Sequence, residues 1–336
     1  MNIETPCIVI DKNILQISID KLHSIGDVFF PIKANAFPPL ILYLAELGCN
    51  FNVNSISYLN TLIDLGIASE GIIYDNCLST AKEIDIAISS GIKNFSIDSR
   101  ELYEYILNKD SSCNFFIKIA STAFDYPSGK FGCINFNDFY YDIKNSERLL
   151  GISFYLGSKN ANSKNLLKMV CQALSLGPIH CLNIGGGYEN IWNYPKLINY
   201  LKRQKKSGKI QRILLEPGRS LINPAAKMYS RVLNVRQINA ENWIRIDASI
   251  YSGLMDLYIE KKTYPIRISC EKSVSTTTRK YHVSGFTTDQ CDYFGVYDLP
   301  SNLKPGDILQ ITNCGAYSFD MSCPYSGANY LLMRLK

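Results

Sequence analysis

Lys33 closes the run Phe29-Phe30-Pro31-Ile32-Lys33-Ala34-Asn35, an apolar stretch that ends in an amine. A lysine desolvated beside a phosphate site can form a Schiff base with a carbonyl cofactor, whereas a solvated one only snorkels its charge to water. Gly185, Gly186 and Gly187 offer successive backbone N–H groups with no Cβ in the way, and Arg219 adds a planar, bidentate charge. Together they suit a phosphoester, although a tight turn explains three glycines equally well. Glu216, in Glu216-Pro217-Gly218-Arg219, can keep a pyridine nitrogen protonated and make the ring an electron sink; the competing reading is an internal ion pair with Arg219. His23, His180 and His282 leave little room for a hydrolytic triad or a His-rich metal site. The eleven cysteines form no CxxC pair, so buried reduced thiols are expected in place of a metal cluster or disulfide framework.

The elements that must position these groups show as periodicity. From residue 28 to 218, apolar or β-branched runs alternate with helical patterns. Strands are expected at 29–33, 51–55, 72–76, 94–98, 114–121, 151–157, 181–187 and 212–218, with helices such as 39–47, 59–65, 81–88, 166–176 and 194–205 between them. This alternation predicts an α/β protein built on a (β/α)8 TIM barrel, whose chemistry sits at the C-terminal strand ends. Those ends carry Lys33, Ser55, Asn76, Asp98, Lys118, Ser158, the glycine triplet, and Glu216 with Arg219. Barrels frequently hold phosphate after the seventh and eighth strands, where the triplet and the arginine fall. Past Pro224, short β-rich segments such as MYSRVLNVRQI, WIRIDAS, RKYHVSGF and GDILQIT predict a C-terminal β-domain, completed by the N-terminal CIVID strand. The expected division is 1–20 as that strand, 21–224 as barrel and 225–336 as β-domain.

With 336 residues, 46% hydrophobic and 19% charged, the chain has material for a sizeable core and is not a disordered or collagen-like one. A net charge of +5 is spread thinly, its densest run, Lys202 to Lys209, reading as a solvated helix end, so no nucleic-acid partner is expected. No run approaches the ~20 apolar residues of a membrane span, and the N-terminus lacks signal-peptide sections, so a cytoplasmic protein with no membrane partner is expected.

Further short motifs follow one another in order: Thr5-Pro6-Cys7, Lys33-Ala34-Asn35, Leu44 to Ser55, Lys130-Phe131-Gly132, Leu156-Gly157-Ser158, Ile184 to Gly187, Glu216 to Arg219, Cys291-Asp292 and Gly315-Ala316-Tyr317. As an ordered set they resemble the fold-type III pyridoxal-phosphate decarboxylases, the family of ornithine and diaminopimelate decarboxylases, related in its barrel to alanine racemase. The resemblance implies pyridoxal 5'-phosphate as a Schiff base on Lys33, Glu216 at the pyridinium, and Ser158, Gly186, Gly187, Arg219 and Tyr317 at the phosphate, with Gly185 in the same cradle. It also implies a homodimer with shared sites, Cys291 reaching the protonated carbon and Asp292 a substrate polar group in the partner's barrel.

The departures from the family pattern bear on activity and substrate. Tyr155 stands where a histidine stacks on the cofactor ring, which preserves aromatic stacking. Asn52 and Tyr58 replace an aspartate and a glutamate, and Lys118 replaces an arginine, losing the planar fork. The segment Asp247 to Ile266 resembles the stretch that approaches the far end of the substrate. There Ile259 aligns with an aspartate for a distal ammonium, with Asp256 and Glu260 nearby, so plain ornithine or lysine is disfavoured unless one of those carboxylates substitutes. The expected activity is α-decarboxylation of a small-molecule L-amino acid or an amino-acid conjugate, with Lys33, Glu216 and Cys291 as catalytic groups. The alternatives are an amino-acid racemase on the same cofactor, or an inactive homologue acting as a binding or regulatory protein.

Overall fold

The computed structural model describes residues 4–120, 132–158, 160–269, 275–328 and 332–336. The chain divides into two compact units, Ile17–Ser220 and the residues on either side of it.

After β1 (Cys7–Ile10) and α1 (Lys12–His23), eight strands form the first unit: β2 (Asp27–Pro31), β3 (Asn50–Val53), β4 (Ile72–Tyr74), β5 (Asn94–Ile97), β6 (Asn114–Ile119), β7 (Leu149–Phe154), β8 (Ile179–Asn183) and β9 (Ile210–Leu215). They run parallel in sequence order, and β9 pairs with β2 to close the barrel. One helix follows each strand in turn: α2 (Pro38–Glu46), α3 (Ile56–Asp64), α4 (Ala81–Ser89), α5 (Arg100–Lys109), α6 (Phe136–Ile143), α7 (Ser163–Leu174), α8 (Pro195–Lys206) and α9 (Arg219–Ala225). Local chemistry sets several starts. Ser55, Thr80, Ser99 and Asn162 accept hydrogen bonds from the first-turn backbone of α3, α4, α5 and α7, and Pro38 and Pro195 open α2 and α8.

Inside the barrel, Phe29, Ile73, Phe116, Cys181 and Leu214 form one buried cluster, drawn from β2, β4, β6, β8 and β9. Its members from β2, β4, β6 and β8 are the layered filling expected of a barrel whose alternate strands point side chains inward at one level, and Leu214 of β9 joins them. Side chains alternate along a strand, so the residue two places beyond each plug residue faces the same interior. Those residues are Asp75 after Ile73, Lys118 after Phe116, Asn183 after Cys181 and Glu216 after Leu214, while Phe29 is followed by Pro31. A polar layer therefore lies directly over an apolar plug.

Several strands end earlier than the apolar runs suggest. Lys33 lies in a 3-10 turn, Ile32–Ala34, just past β2, while the glycine triplet and Glu216 lie in loops past β8 and β9. The runs look longer because loop residues such as Leu156 and Ile184 are themselves buried. Two expected mouth residues serve the scaffold instead. Ser55 caps α3 by accepting from Tyr58 N at 3.3 Å. Asn76 ties its own loop, donating to Asn54 O and accepting from Leu78 N, both at 3.0 Å.

The second unit is a sheet of β10 (Ala226–Ile238), β11 (Glu241–Ile246), β12 (Ile266–Ile268), β13 (Thr278–Ser284), β14 (Tyr293–Pro300) and β15 (Ile308–Thr312), in the order β12-β15-β10-β11-β13-β14. The N-terminal β1 pairs antiparallel with β10, Cys7 opposite Tyr229, and parallel with β16 (Leu332–Leu335). A short helix, α10 (Asp256–Ile259), lies between β11 and β12.

Candidate active site

Five strands, β3, β4, β6, β8 and β9, bring the polar layer of the barrel together. Lys118 of β6 forms an ion pair with Asp75, just past β4. The Asn52 side-chain amide on β3 donates to Asp75 Oδ2 at 3.3 Å and to Glu216 Oε1 at 2.8 Å. Asn183, at the end of β8, donates to the same Oε1 at 2.6 Å. Glu216 is thus not paired with Arg219 among the hydrogen bonds described: Arg219 Nη1 donates to Ser158 Oγ at 2.6 Å. Lys33 Nζ lies 5.9 Å from the ring centroid of Tyr155, so the amine and the aromatic face share the mouth.

Burial decides the charge states. Desolvation lowers the Lys33 amine, even though Asp75 pulls it the other way, so a neutral nucleophilic form is accessible. Desolvation pushes Glu216 up to about 7, and the like charge of Asp75 adds to the rise. Burial would also raise Asp75 and lower Lys118, but their contact wins: Asp75 stays below the ordinary carboxylate range and Lys118 above the ordinary lysine value.

The glycine triplet is held close to its neighbours. A Cβ on Gly186 would stand 2.1 Å from the Glu216 carbonyl oxygen, and one on Gly185, whose φ is +64°, would stand 2.4 Å from the Phe154 carbonyl oxygen. Only glycine allows the loops after β7, β8 and β9 to approach so closely. The next residue, Tyr188, is 2% exposed, and its hydroxyl has no hydrogen-bond partner. Asp75, Asn183 and Tyr188 belong to no motif. The two-residue step from the plug residues Ile73 and Cys181 is the signal that locates the first two; Tyr188 has none.

The remaining expected residues lie in the sheet unit. Cys291 is exposed, its N–H donating to Asp289 Oδ1 at 2.9 Å in the turn before β14. Asp292 is 2% exposed, with Oδ1 accepting from Ile250 N at 2.9 Å and Oδ2 from Thr287 N and Oγ1 at 2.8 and 2.7 Å. Its oxygens hold the turn that presents Cys291, because buried main-chain donors there require an acceptor. On α10, Asp256 is buried, Ile259 is 52% exposed, and Glu260 is the half-buried residue that ends the helix. Tyr317 adopts φ +59° behind Gly315, whose own Cβ would meet Ala226 Cβ at 2.5 Å. Lys130 and Phe131 of the Lys130-Phe131-Gly132 motif lie outside the described residues. Among the described residues no helix is long and apolar enough to cross a membrane, and no group of three or more His, Cys, Asp or Glu is placed to hold a metal.

Comparison with known proteins identifies the family and the fold. Residues 15–223 match the family model described as pyridoxal-dependent decarboxylase, pyridoxal binding domain. The chain is 24% identical to ornithine decarboxylase 2 of Drosophila melanogaster over 326 residues, covering 89% of this chain and 82% of that protein. It is 25% identical to diaminopimelate decarboxylase of Neisseria meningitidis serogroup B over 333 residues, covering 90% and 79%. Among solved structures, a lysine/ornithine decarboxylase from Vibrio vulnificus complexed with putrescine shares the fold with a TM-score of 0.86 at 18% identity, covering 100% of this chain and 95% of that one. The Paramecium bursaria Chlorella virus arginine decarboxylase bound to agmatine gives 0.85 at 20% identity, covering 99% and 98%. With the pyridoxal binding domain matched over more than half of the chain, the chain belongs to the pyridoxal-phosphate-dependent decarboxylases, carboxy-lyases that act on amino acids.

Proposed function

We propose that the chain removes the α-carboxyl group of an L-amino acid, or of a conjugate derived from one, with pyridoxal phosphate held covalently at Lys33 Nζ. The observation that carries this reading is the desolvated Lys33 amine, set beside the Tyr155 ring at the mouth that also holds Glu216. The residues fit the cofactor. Gly185 and Gly186 leave no room for a Cβ, Arg219 and Ser158 are already in contact, and the buried Tyr188 hydroxyl, on which the charge of Glu216 bears, is left without a hydrogen-bond partner.

When bound, pyridoxal phosphate withdraws the electrons left behind by the departing carboxyl group. The protein's own groups do the rest. Arg219, Ser158 and the backbone N–H groups of the glycine loop hold the phosphate. Tyr155 covers one face of the ring. Glu216 keeps a proton at the pyridine nitrogen through Oε2, since both amides already occupy Oε1. Cys291 directs protonation of the carbon from which carbon dioxide has left, in a homodimer where each barrel is completed by the other chain's Cys291.

For the substrate, the resemblance implies an aspartate for a distal ammonium where Ile259 stands exposed; Asp256 is buried in its own unit and Glu260 is half-buried at the end of α10. We therefore favour a substrate whose far end lacks an ammonium group and is larger or less polar. Carbon dioxide release from a panel of free amino acids and their amide or ester conjugates tests both parts. Release from none of them rejects the activity, and release from ornithine or lysine above every conjugate rejects the substrate class.

A further inference from the structure

Asp75 is the hub of the polar layer. Two residues past the plug residue Ile73, it contacts the Lys118 ammonium, with both side chains largely buried. Its Oδ2 accepts from Asn52 Nδ2 at 3.3 Å, and that same nitrogen donates to Glu216 Oε1 at 2.8 Å. Asn183 loads Oε1 a second time, at 2.6 Å, while Oε2 takes no hydrogen bond among the described residues. An amide nitrogen carries two hydrogens and satisfies both carboxylates at once. A carboxylate at position 52 would instead set three carboxyl groups against one another in a buried layer whose lasting counter-charge is Lys118. The identity of residue 52 is therefore coupled to Asp75, and the Asp75 charge to Lys118.

We propose that Asp75 is a positioning residue: paired with Lys118, it anchors the Asn52 amide, which turns Glu216 so that Oε2 is the oxygen left for the pyridine nitrogen. This rests on the pyridoxal-phosphate reading of the barrel mouth. The charged and titratable groups that bear on Glu216 are Asp75, Lys118, Lys33 and Tyr188; after burial, Asp75 contributes most to holding its proton.

The test compares the holoenzyme with Asp75→Asn, with Asn52→Asp, and with the exchange carrying both, which keeps one carboxylate and one amide but swaps their strands. The measurements are kcat and KM separately, and the pH midpoint of the visible cofactor absorbance. Each single change is expected to lower kcat on the order of 100-fold, with KM within about threefold. The exchange is expected to regain at least about tenfold over either single variant, because contacting residues are not additive. Loss of the charge in Asp75→Asn is expected to lower the midpoint. A kcat for the exchange equal to the product of the two single losses overturns the proposal, as does an Asp75→Asn enzyme with parental kcat and midpoint.

If Asp75→Asn does not fold because Lys118 is left buried without a partner, Asp75→Asn with Lys118→Met removes both charges. It should fold and still lose kcat on the order of 100-fold, and parental kcat overturns the proposal. A parent protein that takes up no pyridoxal phosphate at Lys33 sinks the functional reading instead. The proposal is then read from melting of the cofactor-free protein. Both single variants should melt below the parent and the exchange near it; an exchange that melts below either single variant rejects the coupling.

Discussion

Lys33 and Glu216 are ordinary residues given unusual protonation by where they stand. Removing the amine in Lys33→Ala should abolish covalent labelling: borohydride reduction fixes the cofactor's mass on the peptide containing Lys33 in the parent and on no peptide in the variant. Labelling at another lysine of the parent would contradict the assignment. Glu216 holds its proton up to about 7 in the fold, against an ordinary value of 4.5. A carboxyl raised on folding contributes stability that is fully present below 4.5 and is lost as pH rises through 7. The cofactor-free protein should therefore lose stability across that interval, by on the order of 3 kcal/mol at most. Asp75 works in the opposite sense, its contribution present above 3.8 and lost as pH falls through its lower folded value, so the two windows separate. Urea melts of Glu216→Gln at successive pH values should be flatter between 4.5 and 7 than those of the parent. Parallel curves would show that Glu216 does not titrate there. In the holoenzyme the same variant should keep the cofactor and lose most turnover, because a neutral amide does not sustain a protonated ring nitrogen.

At the scale of elements, the loops after β7, β8 and β9 are fixed by contacts too close for side chains. Gly186→Ala forces a Cβ toward a carbonyl oxygen 2.1 Å away, and the Glu216 backbone is what must move. The expected result is destabilisation of about 1–3 kcal/mol, with affinity for pyridoxal phosphate reduced at least tenfold while pyridoxal without phosphate is less affected. Equal losses for both forms would remove the glycine loop from the phosphate site. The turn before β14 is a comparable case: Asp292 takes three hydrogen bonds there, so it is the support of Cys291 and not a surface group.

For the whole molecule, the proposed dimer with shared sites makes a quantitative prediction. Lys33→Ala and Cys291→Ala chains, each inactive alone, should regain activity when mixed. With random exchange about half of the dimers are hybrids with one intact site, so recovery approaches roughly a quarter of the parental value. A mixture that stays inactive although exchange is seen by mass spectrometry would place both residues in the site of one chain.

The sequence alone determined the architecture and much of the chemistry. Alternating apolar runs and helical patterns mark all eight barrel strands, because strand and helix periodicities are local properties of the chain. Lys33, Glu216, Arg219 and the glycine triplet stood out because their types are unusual at the ends of apolar runs. Two sheet strands, β14 and β16, gave no such signal: one carries a glycine and a terminal proline, and the other is only four residues long. What only the tertiary structure decided is the partnership among residues distant in sequence. Asn52, Asp75, Lys118, Asn183 and Glu216 meet because barrel closure brings β3, β4, β6, β8 and β9 around one axis. Read singly, Asn52 and Lys118 look like losses; read together with Asp75, they form one balanced set, because charge compensation in a buried layer depends on distances that no linear spacing records.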